Sequence, residues 1–145
     1  MRANKVLVPV NGAACDEEAL WLAQELTRET SGKIFVLYVI EVQRSLPLDA
    51  EVGSESVRGE TVLQRMESLG AKGRSNLEAE ILQARDAGPA VVQEAVEWSV
   101  DVIVLALPYK HRYGMFSLGN TVPYILKNAP CPVLLSRQAM AQTPL

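Results

Sequence analysis

The feature that most constrains the fold is a regular alternation of short apolar runs with segments of helical periodicity. Four runs are rich in β-branched and aliphatic residues, namely KVLVPV (5–10), KIFVLYVIE (33–41), VIVLAL (102–107) and VLLS (133–136). Runs of this kind are typical of strands buried on both faces of a sheet. A further run, LEAEILQA (77–84), alternates apolar and polar residues, as a strand nearer a sheet edge does. The chain is therefore predicted to alternate five strands with four helices.

The four segments between these runs each predict a helix with one apolar face. Asp16 is the predicted N-cap of the first helix, whose first turn holds Glu17 and Glu18, and Gly32 is its predicted left-handed cap. The second helix is predicted from about Ser54, the third begins at Gly88-Pro89, and the fourth covers residues 120–129. The predicted inward positions are Ala19, Leu22, Ala23 and Leu26, then Val62, Met66 and Leu69, then Val92, Ala95, Val96 and Ser99, then Val122, Ile125, Leu126 and Ala129.

Strands that alternate with helices predict an α/β fold whose parallel sheet is covered on both faces. Right-handed crossovers favour a doubly wound five-stranded sheet of order 3-2-1-4-5. The order reverses between strands 1 and 4, and ligands of such sheets bind at the carboxyl ends of the strands there. In this chain that crevice is predicted to be lined by Asn11-Gly12 and residues 106–109, followed by a long loop over residues 109–118.

Size and composition exclude several classes of protein. A chain of 145 residues predicts one domain, with a core over about 4–137 and a tail over 138–145. A net charge of −3 and a pI near 5.2 give no support for a nucleic-acid partner. No apolar run approaches the roughly 20 residues that span a bilayer, so we expect no membrane insertion and a cytoplasmic location. Cys15 and Cys131 lack metal-ligand spacing, so we expect two reduced thiols and no metal site.

Two segments resemble a known family. The first is KVLVPVNG followed by CDEEAL, and the second covers residues 102–137 and ends in LKNAPCPVLLSR. Together they resemble the universal stress protein family, over residues 4–137. The Ala-Pro-Cys-Pro-Val run that enters the last strand is the most specific piece. The resemblance implies an adenine nucleotide alpha hydrolase-like, flavodoxin-like sandwich.

The resemblance also implies a nucleotide site. In ATP-binding members an aspartate ends strand 1, and a pattern G-x2-G-x9-G-[S/T] follows strand 4. Asn11 takes the place of the aspartate, and only Gly119 matches one of the three glycines. The site residues implied by the resemblance, together with basic residues of the same loop, are Pro9, Asn11, Val39, Ala106, Tyr109, Lys110, Arg112, Gly119, Asn120 and Thr121.

The altered positions predict the loss of the family's usual triphosphate grip. Ala106 adds a methyl group, Pro108 removes an amide donor, and Tyr109 places a ring where phosphate would lie. Asn11 keeps an acceptor oxygen but loses the charge. Lys110 and Arg112 are cations that offer an alternative way to hold a phosphate. His111, which has no recognisable acid or nucleophile partner, is interpreted as a surface residue.

These observations leave three functional hypotheses. The first is a non-catalytic regulatory or interaction module of the universal stress type, without a cofactor. The second is a nucleotide-binding switch or slow ATPase that takes ATP with Mg²⁺ through the basic loop. The third is the soluble regulatory domain of a membrane transporter. The resemblance also implies a homodimer formed through the last strand, with the interface at Cys131, Val133, Leu134 and Leu135.

Overall fold

The computed structural model describes residues 1–109, 111–112, 115–116 and 120–139, and only the backbone of the two short middle segments. The elements are β1 (Lys5–Val10), α1 (Asp16–Thr27), β2 (Lys33–Glu41), α2 (Gly53–Lys72), β3 (Asn76–Ala84), α3 (Ala87–Glu97), β4 (Val102–Leu107), β5 (His111–Arg112), β6 (Met115–Phe116), α4 (Thr121–Asn128) and β7 (Val133–Arg137). The predicted alternation is confirmed. The predicted loop over residues 109–118 contains one element that sequence reasoning missed, the short antiparallel pair β5–β6.

The five long strands form one parallel sheet in the order β3-β2-β1-β4-β7, which confirms the predicted order. β1 lies at the centre and pairs with β2 along its whole length, from Lys5–Lys33 to Val10–Tyr38. With β4 it pairs only near its amino end, through Val6–Val102 and Leu7–Ile103. β3 and β7 are the two edge strands.

The side chains of the sheet divide into two cores, one on each face. Val6, Val8 and Val10 of β1 point toward α1 and α2, whereas Leu7 points toward α3 and α4. Successive strand residues face opposite sides of a sheet, so a central strand between two helical layers must be apolar at every position. This requirement explains the continuous apolar runs of the sequence.

The predicted inward faces of α3 and α4 were partly wrong. In α3 the buried residues include Gly88, Val91 and Ala95, whereas Val96 is 58% exposed. In α4 Val122 and Ile125 are buried, but Leu126 is 48% exposed. The helices pack on each other through a close contact, since a Cβ on Gly88 would lie 3.0 Å from Tyr124 Cβ. Apolar spacing alone does not predict this close contact between α3 and α4.

The ends of α1 and the packing of α2 also differ from the predictions. Ser31, with φ of 52°, takes the left-handed conformation that was predicted for Gly32. Gly32 is required for space, because a Cβ there would lie 2.6 Å from the carbonyl oxygen of Asn4. Leu20 faces the core more completely than the predicted Leu22, and Gly59 is buried where α2 crosses the ring of Tyr38.

Candidate functional site

The candidate site is the crevice between the carboxyl ends of β1 and β4. Within the described residues these strands pair only through two residue pairs near their amino ends. β1 continues with Asn11 and Gly12, and β4 continues with Pro108 and Tyr109. This is the point where the strand order of the sheet reverses, and ligands of doubly wound sheets bind at such points.

The turn that leads from β1 into α1 is stabilised by a buried carboxylate at the start of α1. Asp16 is 5% exposed, and its Oδ2 accepts hydrogen bonds from the amides of Gly12 (2.8 Å) and Asn11 (3.3 Å). Burial raises the pKa of Asp16, and it outweighs the bonds from the backbone amides of Gly12, Asn11 and Ala13 and the charge of nearby Arg65, which lower the pKa. The predicted N-cap role was wrong, because Asp16 is the first residue of α1 and its carboxylate turns back toward β1.

Residues of α2 also contact this turn. Nη2 of Arg58 donates a hydrogen bond of 3.3 Å to the carbonyl oxygen of Asn11. Gly12 has φ of 90°, and a Cβ there would lie 3.2 Å from Cγ2 of Val62. Only glycine adopts such a backbone without strain, and this one also lacks room for a side chain. The exposed guanidinium of Arg58 therefore stands at the mouth of the crevice.

The side chain of Asn11 is engaged within the turn itself. Its Oδ1 accepts a hydrogen bond of 3.0 Å from the amide of Ala13. This local bond is the usual way in which asparagine stabilises a turn. The acceptor oxygen that the sequence offered to a nucleotide is therefore already bonded to the backbone.

The end of β4 is closed on its other side by β7. The amide of Gln138 donates to the carbonyl oxygen of Leu107 (2.6 Å), and the Arg137 guanidinium lies 4.6 Å from the centre of the Tyr109 ring. Ser136, opposite Ala106, donates a hydrogen bond of 2.6 Å to Glu18 of α1. These contacts connect the end of β7 to both β4 and α1.

Comparison with known proteins assigns the chain. The sequence profile of the universal stress protein family matches residues 3–137. The chain belongs to that family. It is 24% identical over 140 residues to Universal stress protein MJ0531 of Methanocaldococcus jannaschii, covering 92% of this chain and 82% of the relative.

Solved universal stress proteins share the fold at low sequence identity. The universal stress protein of Archaeoglobus fulgidus superposes with a TM-score of 0.77 at 18% identity, over 90% of this chain and 96% of the other. Its complex with dAMP gives a TM-score of 0.73 at 18% identity, over 93% and 98%. A family protein from Arabidopsis thaliana with AMP bound gives 0.69 at 21% identity, over 94% and 92%.

Several positions that the family resemblance implied for a nucleotide site lie near the carboxyl ends of β1, β2 and β4 and at the start of α4. The last residue pair between β1 and β2 is Val10–Tyr38. Val39, the next residue of β2, therefore lies beside Asn11, the next residue after β1. Pro9 and Val39 are half-buried, as are Ala106 and Tyr109 at the end of β4. Asn120 is exposed at the N-cap position of α4, and its side chain makes no capping bond. Thr121 begins the helix.

Part of the predicted site lies outside the described residues. Lys110 and Gly119 are among these, and for Arg112 and His111 only the backbone is described, in β5. Within the described ranges no group of three or more His, Cys, Asp or Glu side chains is arranged to hold a metal ion. No helix in the described part of the chain is long and apolar enough to cross a membrane.

Arg58 is the site residue that sequence reasoning missed. It lies in the polar segment 54–61, which shows no motif and has ordinary helical periodicity. Its position at the crevice depends on how α2 crosses the sheet, which it approaches closely at Gly59, where a Cβ would lie 2.9 Å from Cδ1 of Tyr38. The one sequence signal that could have indicated Arg58 is that it is a basic residue in the early turns of the helix that follows β2.

Proposed function

We propose that this universal stress protein is a regulatory module that acts through contacts with other proteins and does not bind ATP by the family's triphosphate grip. The observation that carries the proposal is that backbone amides of the turn after β1 are already hydrogen-bonded within the protein. Two amides of this turn, those of Asn11 and Gly12, already bond to the buried Asp16 carboxylate. Free backbone amides are what a concave turn offers to an anion, and this turn has given two of them to its own side chain.

The end of β4 supports the same proposal. Pro108 has no N–H, and Ala106 and Tyr109 carry side chains where the family pattern has glycines. A phosphate chain in the crevice would also lie close to the Asp16 carboxylate. A triphosphate carries more negative charge than a monophosphate. The missing amide donors and the Asp16 carboxylate therefore weaken the binding of a triphosphate more.

A second candidate function is the binding of an adenine nucleotide with a single phosphate. It is favoured by Arg58, whose guanidinium reaches the Asn11 carbonyl at the crevice mouth and keeps further donors for a phosphate oxygen. The solved relatives in complex with dAMP and AMP favour it as well. In this candidate Val39 and Pro9 would line the base, and Arg58 would replace the missing backbone donors.

Calorimetric titration separates the two candidates. The purified protein is first checked by mass spectrometry for retained nucleotide, and then titrated with AMP and with ATP in Mg²⁺. The regulatory-module proposal expects no retained nucleotide and no heat from either ligand. Micromolar binding of ATP would contradict it. Binding of AMP that is stronger than binding of ATP would establish the second candidate instead.

If AMP binds, substitution of Arg58 by alanine is expected to weaken it by about tenfold, the loss of one charge-assisted hydrogen bond. Arg28→Ala is the matched control, because Arg28 follows the last residue of α1, which runs away from the crevice, and is paired with Glu25. Equal AMP affinities for wild type and Arg58→Ala would exclude this role of Arg58.

We also propose that the protein is a homodimer through the β7 edge. β7 pairs on one side only within the described residues, so its outer backbone groups can pair with a second copy. Leu135 is 39% exposed on this strand, and Leu126 of the preceding helix is 48% exposed. The other interface positions, Cys131, Val133 and Leu134, are half-buried against the two cores of the same chain.

This burial pattern selects the variant for a test of dimerisation. Leu135→Lys is expected to raise the dimer dissociation constant by about tenfold or more, because it places a charge in an apolar edge contact. Analytical ultracentrifugation measures the effect, with Val96→Lys on α3 as the control for an exposed aliphatic residue. Leu134 is less suitable because it packs against the core. A wild-type protein that sediments as a monomer would refute the dimer.

A further inference from the structure

The opposite edge of the sheet, formed by β3, carries a cavity that the crevice and the β7 edge do not involve. The cavity has a volume of about 420 Å³ and is lined by Leu48, Asp49, Ile81, Leu82 and Gln83. Three consecutive residues of β3 contribute to it. Since consecutive strand residues point to opposite faces of a sheet, the cavity lies along the strand edge and not on one face.

The outer wall of this cavity is a loop held in place by the end of β3. Gln83 Nε2 donates to the carbonyl oxygens of Leu48 (2.9 Å) and Ala50 (3.0 Å). Arg85 Nη1 donates to the carbonyl oxygens of Gln43 (2.6 Å) and Leu46 (2.8 Å). The loop between β2 and α2 is therefore a shaped structure, and it holds Leu46 and Leu48 at 42% and 47% exposure.

The middle of the β3 edge also carries carboxylates, whereas Arg85 places one cation at its end, against the 43–50 loop. Glu78 is paired with Lys33 at 2.6 Å. Glu80, farther along β3, and Glu97 of α3 each lie near Glu94 of α3, and no ion pair to these three occurs within the described ranges. Glu94 is only 8% exposed, and burial together with the charges of Glu80 and Glu97 raises its pKa. Asp49 adds a further carboxylate at the cavity.

We propose that the β3 edge binds an extended segment of a partner protein that carries lysine or arginine beside an apolar anchor residue. The outward N–H and C=O groups of β3 would pair with the backbone of the segment, as in strand addition to an open sheet edge. The cavity would receive the anchor, and the carboxylates of Glu80, Glu97 and Asp49 would attract the basic residues.

The charge of the edge decides between a partner and a second copy. Charged residues on an edge strand normally prevent pairing of identical edges. Two β3 edges would bring Glu78 and Glu80 of both copies together, and the like charges would oppose pairing. A basic strand meets no such opposition. This inference rests on the proposed role as an interaction module, but its test does not involve nucleotide or the β7 edge, so the two can fail separately.

The probe is a fluorescein-labelled peptide as long as β3, with lysine at alternate positions and valine or leucine between them. A second peptide has glutamate in place of lysine. Fluorescence anisotropy is expected to give a dissociation constant below about 1 mM for the lysine peptide and binding at least about tenfold weaker for the glutamate peptide. Amide chemical-shift changes in the ¹⁵N-labelled protein are expected at residues 76–84 and in the 43–50 loop.

Two variants test the two parts of the surface. Leu48→Ser removes an apolar side chain from the cavity without adding a charge and is expected to weaken the lysine peptide about tenfold, whereas Glu80→Gln with Glu97→Gln is expected to weaken it about fivefold. Trp21→Glu, an exposed apolar residue on α1, is the control and is expected to bind as wild type does. Equal binding of the two peptides, shifts located at β1 or β7, or no shift in β3 at millimolar peptide would each overturn the proposal.

Discussion

Replacement of Gly32 by alanine is expected to lower the free energy of unfolding by about 2–3 kcal/mol. A Cβ at this position would lie 2.6 Å from the carbonyl oxygen of Asn4, 2.8 Å from that of Ala3 and 2.9 Å from Oγ1 of Thr30. Two of these atoms belong to the backbone that leads into the central strand, so they cannot move aside as a flexible side chain would. Relief of the contact requires displacement of β1 relative to β2, whose first pair is Lys5–Lys33.

Gly53→Ala is the matched control for this prediction. Gly53 is the first residue of α2, and nothing lies within 4 Å of a Cβ built there. Alanine is a better helix former than glycine, so no loss of stability is expected, and a gain of up to about 1 kcal/mol is allowed. Urea denaturation followed by circular dichroism measures both variants. Equal stability of Gly32→Ala and wild type would mean that the backbone leading into β1 can move aside, contrary to this prediction.

Replacement of Asp16 by alanine is expected to cost about 1–3 kcal/mol of stability, because it leaves the amides of Asn11 and Gly12 without an acceptor in a buried turn. Asp16→Asn retains one acceptor oxygen of similar position and is expected to recover most of this loss. The same urea titration measures both. An equal loss in the two variants would show that the shape of the side chain matters less than its charge.

The raised pKa of Asp16 gives this comparison a definite pH dependence. The folded state binds the proton more tightly than the unfolded chain, whose aspartate has the ordinary pKa of 3.8. The titration of Asp16 therefore adds stability that is complete below pH 3.8 and is lost as the pH rises through the raised folded pKa. Relative to Asp16→Asn, wild type is expected to be more stable at pH 4 than at pH 7. A relative stability that increases from pH 4 to pH 7 would mean that the amide bonds outweigh burial.

Much of the fold could be predicted because its determinants are local in sequence. The run KVLVPV must be a central strand, since every one of its side chains from Val6 onward has to be apolar to face one of two cores. The alternating run in β3 indicated an edge, and β3 is one. The inward faces of α3 and α4 were harder to predict, because they depend on how the two helices pack on each other. The close contact of Gly88 with Tyr124 is part of that packing, and local periodicity does not reveal it.

The sequence predicted where the crevice lies, but not which of its polar groups are bonded to each other. Chain order alone located Asn11 and residues 106–109 at one crevice, because strand order and handedness follow from the alternation of strands and helices. The sequence did not reveal that Asp16 turns back to bond the amides of the β1 turn. It also gave no indication of Arg58, which reaches the Asn11 carbonyl only because α2 crosses above that turn.

The sequence by itself determined the α/β class, the order of the five strands, the position of the crevice and the family, because periodicity and the run NAPCPVLL are properties of consecutive residues. Only the tertiary structure decided which polar groups at the crevice are already bonded and which stay available. It also decided that the β2–α2 loop is held against β3 to form an acidic, partly apolar edge. Hydrogen bonds such as Arg58–Asn11 and Gln83–Leu48 join residues 47 and 35 positions apart, and their geometry depends on how whole helices and strands pack.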